Sequence, residues 1–589
     1  MLSIFPEIFF QQIVAVVNCV VKNFCIYSQE SIQRLYAVKI VLKNIYYFKK
    51  YLPLILFGLL TFFMPMQKQW HKSLDKVGEK LSSTAYPFDS YFAGKMQFSS
   101  ADLFILLLFT FGLARIKNRS RGSLSLIRNL ALVGYLASCL MSIILSQHNN
   151  YVVSYYVFLR YALFWGLYWI ISEGLIEKSF SKIASVFLAS TALSATMQAI
   201  ISILQYFKQY SLGLKSLGET RFAREGKSLI SFDMDPASLW IFGESFPKDV
   251  KHEVLRSFGT FPHPNILGWY LAMGTIATFY LFEKAKDQKI KMLFSFIMML
   301  QVFALFTSYS RSALLGLIFS LSIYVIFNDD WKKAFFNSLF PLSCVFLSTI
   351  LLCPQLMARS QYATIIPVFV TYVIFALAGC VTGLVIKLCN KVSFSDVKSL
   401  ILMFLEKKKG LLNVAIFLIT LGLVSAGVIY KYSYLKGALF NLTDEYRLVN
   451  PLIAIKMTLA HPFIGTGFSM YLMRMKEFIP PSVNHNIGMI VHNVFMMVSA
   501  ETGIMGLSCF LILIFSPFGS LRKVRVNKET LYLKVILCTT LFVGMCDMHF
   551  LIFVQGRLFF FSLLGLLALS AECSRCPIKQ TNDHIVQAK

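Results

Sequence analysis

Apolar runs of about 20 residues recur along almost the whole chain, each long enough to cross the hydrocarbon core of a bilayer as a helix. No soluble core hides so much: 57% of the 589 residues are hydrophobic, 56 of them Phe, and only 14% are charged. The reading is an all-α, polytopic integral membrane helix bundle with about fourteen crossings, near 51–66, 99–115, 128–146, 151–172, 183–207, 263–283, 291–309, 311–328, 334–353, 364–387, 411–430, 490–516, 531–548 and 551–570. Residues 4–27 are apolar but interrupted by Glu7, Gln11, Gln12, Asn18 and Lys22, which suits an interfacial helix better than a crossing. No basic stretch precedes it, so no cleavable signal is expected.

Charge then sets the orientation. Lys and Arg number 56 against 29 Asp and Glu, a formal net charge of +27. In a membrane protein this excess reads first as cytoplasmic loops obeying the positive-inside rule, and no nucleic-acid partner is implied. Four basic clusters stand in connections that alternate correctly for one side: Arg115 to Arg128, Lys284 to Lys291, Lys407 to Lys409, and Arg522 to Lys528. Both termini are therefore expected inside. The chain divides into a cytoplasmic or interfacial segment (1–50), N-terminal membrane helices (51–207), a first large extracytoplasmic loop (208–262), central helices (263–430), a second large extracytoplasmic loop (431–489), C-terminal helices (490–570) and a cytoplasmic tail (571–589). Loops this long are usually functional or disordered. The aromatic content here, including Trp240, Phe246, Phe463 and Tyr471, argues for order.

The polar residues that invite chemistry gather at the outer ends of the expected crossings. Arg256 precedes Gly259-Thr260-Phe261-Pro262-His263-Pro264-Asn265. Arg311 stands in Ser310-Arg311-Ser312 between two crossings with almost no loop. Arg447 precedes a short apolar segment ending in His461-Pro462-Phe463-Ile464-Gly465-Thr466-Gly467. His492-Asn493 opens a crossing that runs on to Gly503. Interfacial arginines often only snorkel. A group of Arg256, Arg311 and Arg447 nevertheless suits a multiply charged anion such as a diphosphate, which guanidinium groups grip bidentately. On a helix begun at His492, Met496, Ser499 and Gly503 share one face, which would turn the imidazole inward. A lone His at a span end is more often structural, but near an anion site it fits a general base, its pKa lying near neutral. His485 is the rival base. His263 and His461, each followed by Pro, read as turn residues.

Other features carry less. The cysteines are scattered, mostly inside apolar runs, and Cys573 with Cys576 lacks the partners a zinc site needs. Asp233 and Asp235 form a DxD on the side where nucleotide sugars are not supplied. No Walker loop, GxGxxG or HExxH is present, and the connection carrying Asp75, Glu79 and Asp89 has no close acidic pair to hold a metal, so a reaction needing no cofactor is the simplest expectation.

Taken in order, Arg256 with Gly-Thr-Phe-Pro-His-Pro-Asn, Ser-Arg-Ser at 310–312, Arg447 with His-Pro-Phe-Ile-Gly-Thr-Gly, and His492-Asn493 with Gly503 resemble the O-antigen ligase family, which includes O-antigen polymerases and protein O-oligosaccharyltransferases. The resemblance spans roughly 250–515. Met496 replaces the usual Leu. The chain is longer than typical members, with an extra apolar block near 334–440. The resemblance implies a GT-C-like bundle in a bacterial cytoplasmic membrane. Its donor would be a glycan on undecaprenyl diphosphate, and its acceptor lipid A–core, another glycan or a protein hydroxyl. It makes His492 the base, Arg256, Arg311 and Arg447 the diphosphate ligands, and Asn493, Gly503 and His485 supporting residues. A polymerase of the same family is the near alternative. A polysaccharide or lipid-linked glycan exporter is a more distant one, since no internal repeat is evident.

Overall fold

The computed structural model describes residues 51–66, 69–73, 95–113, 123–146, 151–219, 229–232, 252–328, 337–338, 442–479, 490–519 and 527–573. The N-terminal segment 1–50, nearly all of 334–353, and the expected crossings 364–387 and 411–430 lie outside the described residues. In chain order the helices are α1 (Tyr51–Phe62), α2 (Ser100–Leu113), α3 (Ser123–Leu145), α4 (Tyr151–Ser172), α5 (Phe180–Lys208), α6 (Pro264–Lys284), α7 (Gln288–Thr307), α8 (Arg311–Phe327), α9 (Leu442–Ala460), α10 (Tyr471–Arg474), α11 (Val494–Gly519), α12 (Lys528–Gly544), α13 (His549–Ile552) and α14 (Val554–Cys573). Among the described residues six helices are long and apolar enough to cross a membrane, the longest being α5 and α11. Two short antiparallel hairpins add to the helices in the connections: β1 (Gln69–Ser73) with β2 (Lys95–Ser99), and β3 (Leu229–Phe232) with β4 (His252–Leu255), the latter inside the first large loop.

α14 is the axis of the bundle. Its membrane window is wholly buried, an apolar helix hidden on all sides, and it packs along α4 and against α12. Aromatic rings fill the seams, with Trp165 4.4 Å from Phe561 and Phe187 5.3 Å from Phe559. α5, α6 and α7 form a second packed group, with small residues at the contact: a Cβ on Gly274 of α6 would overlap that of Ala195 on α5. α11 lies along α3.

The two ends of the bundle differ in charge chemistry. At one end, the connection from α6 to α7 and its flanking helix ends carry Lys284, Lys286, Lys289 and Lys291. There Glu283 accepts hydrogen bonds from Tyr324 (2.7 Å) and Tyr532 (2.9 Å), and Arg128 reaches Glu572. At the opposite end stand the start of α6, the turn from α7 to α8, the start of α11 and the link from α12 to α14. Arg256, Arg311 and His492 stand there.

Candidate functional site

The Arg256 motif is fixed to α5 by two glutamines. Gln205 Oε1 accepts from the N–H of Phe258 (3.1 Å) and Gly259 (2.8 Å), while its amide donates to the Gly259 carbonyl (2.8 Å). Gln198 Oε1 accepts from the Thr260 N–H at 2.9 Å. Gly259 has φ +61°, and a Cβ there would press on Gln198, which explains the glycine. The segment also joins α7 through Ser257 N to Thr307 O at 3.0 Å. The chain then enters α6 through Pro264 at its first turn, where Pro costs no hydrogen bond, with His263 as cap.

Arg256 itself is half-buried and spans two elements. Its Nε donates to the Ser308 carbonyl at 2.9 Å, and Nη2 donates to Asn265 Oδ1 at 2.5 Å. Asn265 Nδ2 donates to Asp547 Oδ2 at 3.0 Å, and that same oxygen lies 2.6 Å from His549 Nε2. The rings of His263 and His549 are 5.5 Å apart. Burial alone would raise the Asp547 carboxyl, but His549 beside it, then His492 and His263, hold it well below the usual carboxylate range. Burial, with His549 and Arg256 next, pushes His263 well below the usual imidazole value. It is neutral near pH 7, and its Nδ1 accepts the Asn265 N–H at 3.1 Å.

His492 belongs to this group electrostatically, acting on both Asp547 and His263. It does not open the helix. Asn493 does: its Oδ1 caps the N–H groups of Phe495 and Met496, each at 3.0 Å, so α11 begins at Val494 and His492 lies in the bend before it. The Asn493 amide also donates to the Met545 carbonyl (3.1 Å), holding the start of α11 against the end of α12. His492 Nδ1 lies 3.0 Å from the Ile490 carbonyl. A carbonyl only accepts, so Nδ1 carries the proton and Nε2 is the basic nitrogen.

Arg311 is the first residue of α8 and is exposed. It stands three residues after Ser308, the carbonyl Arg256 grips, in a turn tight enough to put Tyr309 at φ +51°. Arg447 lies on α9, and its side chain is outside the described residues, as is all of His485. Gly503 sits within the bundle. It breaks α11, with φ +67° and ψ −170°, which overturns the continuous helical face expected from His492 to Gly503. The carbonyls of Ala500 and Glu501 that the break releases are taken by Thr466 N (2.9 Å) and Gly467 N (3.3 Å), and the N–H of Ile504 goes to Pro462 (2.8 Å). The His461–Gly467 motif and the Gly503 motif are thus one packed unit.

Two members of the cluster escaped the sequence reading. Asp547 falls at the end of the expected crossing 531–548 and His549 in the gap before 551–570, whereas α12 ends at Gly544, Asp547 stands in the link that follows and His549 begins α13. The signal was present: Asp547 is the one acidic residue between Glu529 and Glu572. Ionisable groups in such a stretch usually face a cavity or a partner. Asp547→Ala strands Asn265 and His549 in a buried setting, and a loss of about 3–5 kcal/mol is expected, read as a lowered melting temperature of the solubilised protein. Asp547→Asn should cost less. Because the folded carboxyl is depressed, its contribution is present above the ordinary carboxylate range and is lost as pH falls through that range toward the depressed value.

The arrangement provides a guanidinium held by two acceptors, a second cationic side chain at a neighbouring helix start, a buried Asp–His pair and a His whose Nε2 is the basic nitrogen. It can bind an anion and move a proton beside it. No curated protein matches the chain. The model of the O-antigen ligase family, however, matches residues 294–511, a stretch that holds Arg311, Arg447, His492, Asn493 and Gly503, so the match falls on the same family that the motifs resemble.

Proposed function

We propose that this multi-pass membrane protein is a glycosyltransferase of the O-antigen ligase type, acting at the outer face of a bacterial cytoplasmic membrane. It moves a glycan from undecaprenyl diphosphate to an acceptor hydroxyl, with lipid A–core the default acceptor. The observation that carries the reading is the hydrogen-bonded line from Arg256 through Asn265 to Asp547, whose carboxylate lies 2.6 Å from His549, with His492 and the Arg311 turn at the same end of the bundle.

The chemistry follows from the residues. The acceptor oxygen attacks the anomeric carbon and gives its proton to His492 Nε2. The bond from that carbon to the diphosphate oxygen breaks, and the electron pair leaves with the diphosphate. Arg256 and Arg311, with Arg447 as a third contributor, neutralise the charge gathering on the leaving group, the task for which preoriented donors are most effective. Attack opposite the leaving group inverts the anomeric centre. Asp547 and His549 position Asn265, and through it Arg256.

The test is transfer by purified protein from a lipid-diphosphate glycan without an ion gradient. His492→Gln should lower the rate by about 10²–10⁴-fold at unchanged protein level. Transfer at the wild-type rate would remove His492 as base, and failure to transfer at all without a gradient would favour an exporter. A deletion strain separates the two enzyme readings: unattached long chains mark a ligase, and single repeats on the core mark a polymerase.

A further inference from the structure

Two arginines outside the Arg256 motif, Arg160 of α4 and Arg557 of α14, are buried in the bundle. Ionisable groups inside membrane helices usually face a partner or an ion. Arg160 pairs with Asp102 of α2 through Nη2 at 3.0 Å. Asp102 is shared, because its Oδ2 also takes the N–H (2.7 Å) and the hydroxyl (2.9 Å) of Ser99. The Nε of Arg160, equally buried, has no hydrogen-bond partner among the described residues. Arg557 donates to the Ile552 carbonyl at 2.8 Å and lies 4.9 Å from the centre of the Tyr161 ring. Both arginines line a recess between α4, α10, α11, α13 and α14 that holds about 40 Å³ of free volume. The Ser469 hydroxyl, on the same wall, is a second polar group without a hydrogen-bond partner among the described residues.

We infer that this recess binds a monatomic anion, chloride in the first place. Size sets the class. One water needs about 10–15 Å³, so the recess takes two or three waters, or a halide ion with one water, and a phosphate group or a sugar ring is too large. The donors agree with the size. A buried N–H and a buried hydroxyl left unpaired each cost free energy, and an anion among guanidinium groups recovers it through charge-assisted hydrogen bonds. Glu501 is the one acidic residue on the wall, and its carboxyl is turned to the backbone N–H groups of Tyr471 (3.3 Å) and Ser469. Asp102 stands behind Arg160 and is not part of the wall. A negative Glu501 opposes the anion, so the two compete for the same guanidinium groups. The ion would tie α4 and α14 to the stretch of α11 just before its break. The inference goes beyond the transferase reading and does not depend on it.

Chloride NMR on the full chain in nanodiscs tests it, with sodium chloride titrated against sodium gluconate at constant ionic strength. The chloride line should broaden in a saturable way. Ser469→Ala should weaken the binding by about tenfold, the worth of one hydrogen bond to a charged group. Leu472→Phe, which fills the recess, should abolish it. Glu501→Gln keeps the shape of the wall and removes its charge, and should bind chloride more tightly. No saturable broadening, the same affinity in Ser469→Ala and Leu472→Phe as in the wild type, or weaker binding in Glu501→Gln would overturn the site. Loss of the broadening in Arg256→Ala, with Ser469→Ala unaffected, would place the chloride at the Arg256 motif and overturn it equally.

Discussion

Arg256→Ala is expected to lower glycan transfer by about 10²–10³-fold, with most of the loss in kcat. The Arg256 guanidinium is tied to the framework twice, through Nε to Ser308 and through Nη2 to Asn265. A donor fixed in this way needs no reorganisation when charge builds on the diphosphate, which is where such groups contribute most. Arg256→Lys should recover little. An ammonium is a point charge on a flexible stem and cannot hold the Ser308 carbonyl, Asn265 and a phosphate oxygen in one plane. Measurement of kcat and KM on membrane-inserted protein of matched level decides it. Wild-type kcat/KM in the Ala variant would remove Arg256 from the site.

Gly503→Ala should produce the largest loss of folded protein. The residue is at φ +67°, and a Cβ there would overlap the Phe463 carbonyl and the Ile464 nitrogen, all backbone of a packed turn. Strain and overlap together are expected to cost about 3 kcal/mol or more. Gly213 supplies the comparison: it too has positive φ, at +88°, but nothing lies within 4 Å of its missing Cβ. Gly213→Ala should therefore cost only about 1 kcal/mol. Thermal unfolding of both variants in detergent, with the monodisperse fraction by gel filtration, gives the difference. Equal melting temperatures would show that close packing at Gly503 is not the cause.

Local pattern made the membrane helices and the four motifs readable, because apolar length and residue order are properties of short windows. The start of α11 was nearly readable. Asn before an apolar run is a cap signal, but its weight was given to the His one place earlier. The break at Gly503 was not, since Ala, Thr, Ile and Met around it continue an apolar helix and the cause lies in Phe463 and Gly465, forty residues upstream. Asp547 and His549 were hidden for a similar reason. They read as the frayed edges of two crossings, and only packing against Asn265, more than 280 positions away, gives them a partner. Arg311 and Arg256 were singled out independently, and the shared turn at Ser308 is what relates them.

The exchange of backbone partners at the α11 break has a consequence for how the molecule opens. The amides of Thr466, Gly467 and Ile504 are protected only while loop and helix hold each other. In a hydrogen–deuterium exchange experiment they should therefore become labelled together, in one cooperative event, rather than the loop first and the transmembrane segment later. The loop is then not a flap hung on a rigid bundle but a part of the same unfolding unit, and anything that steadies one steadies the other.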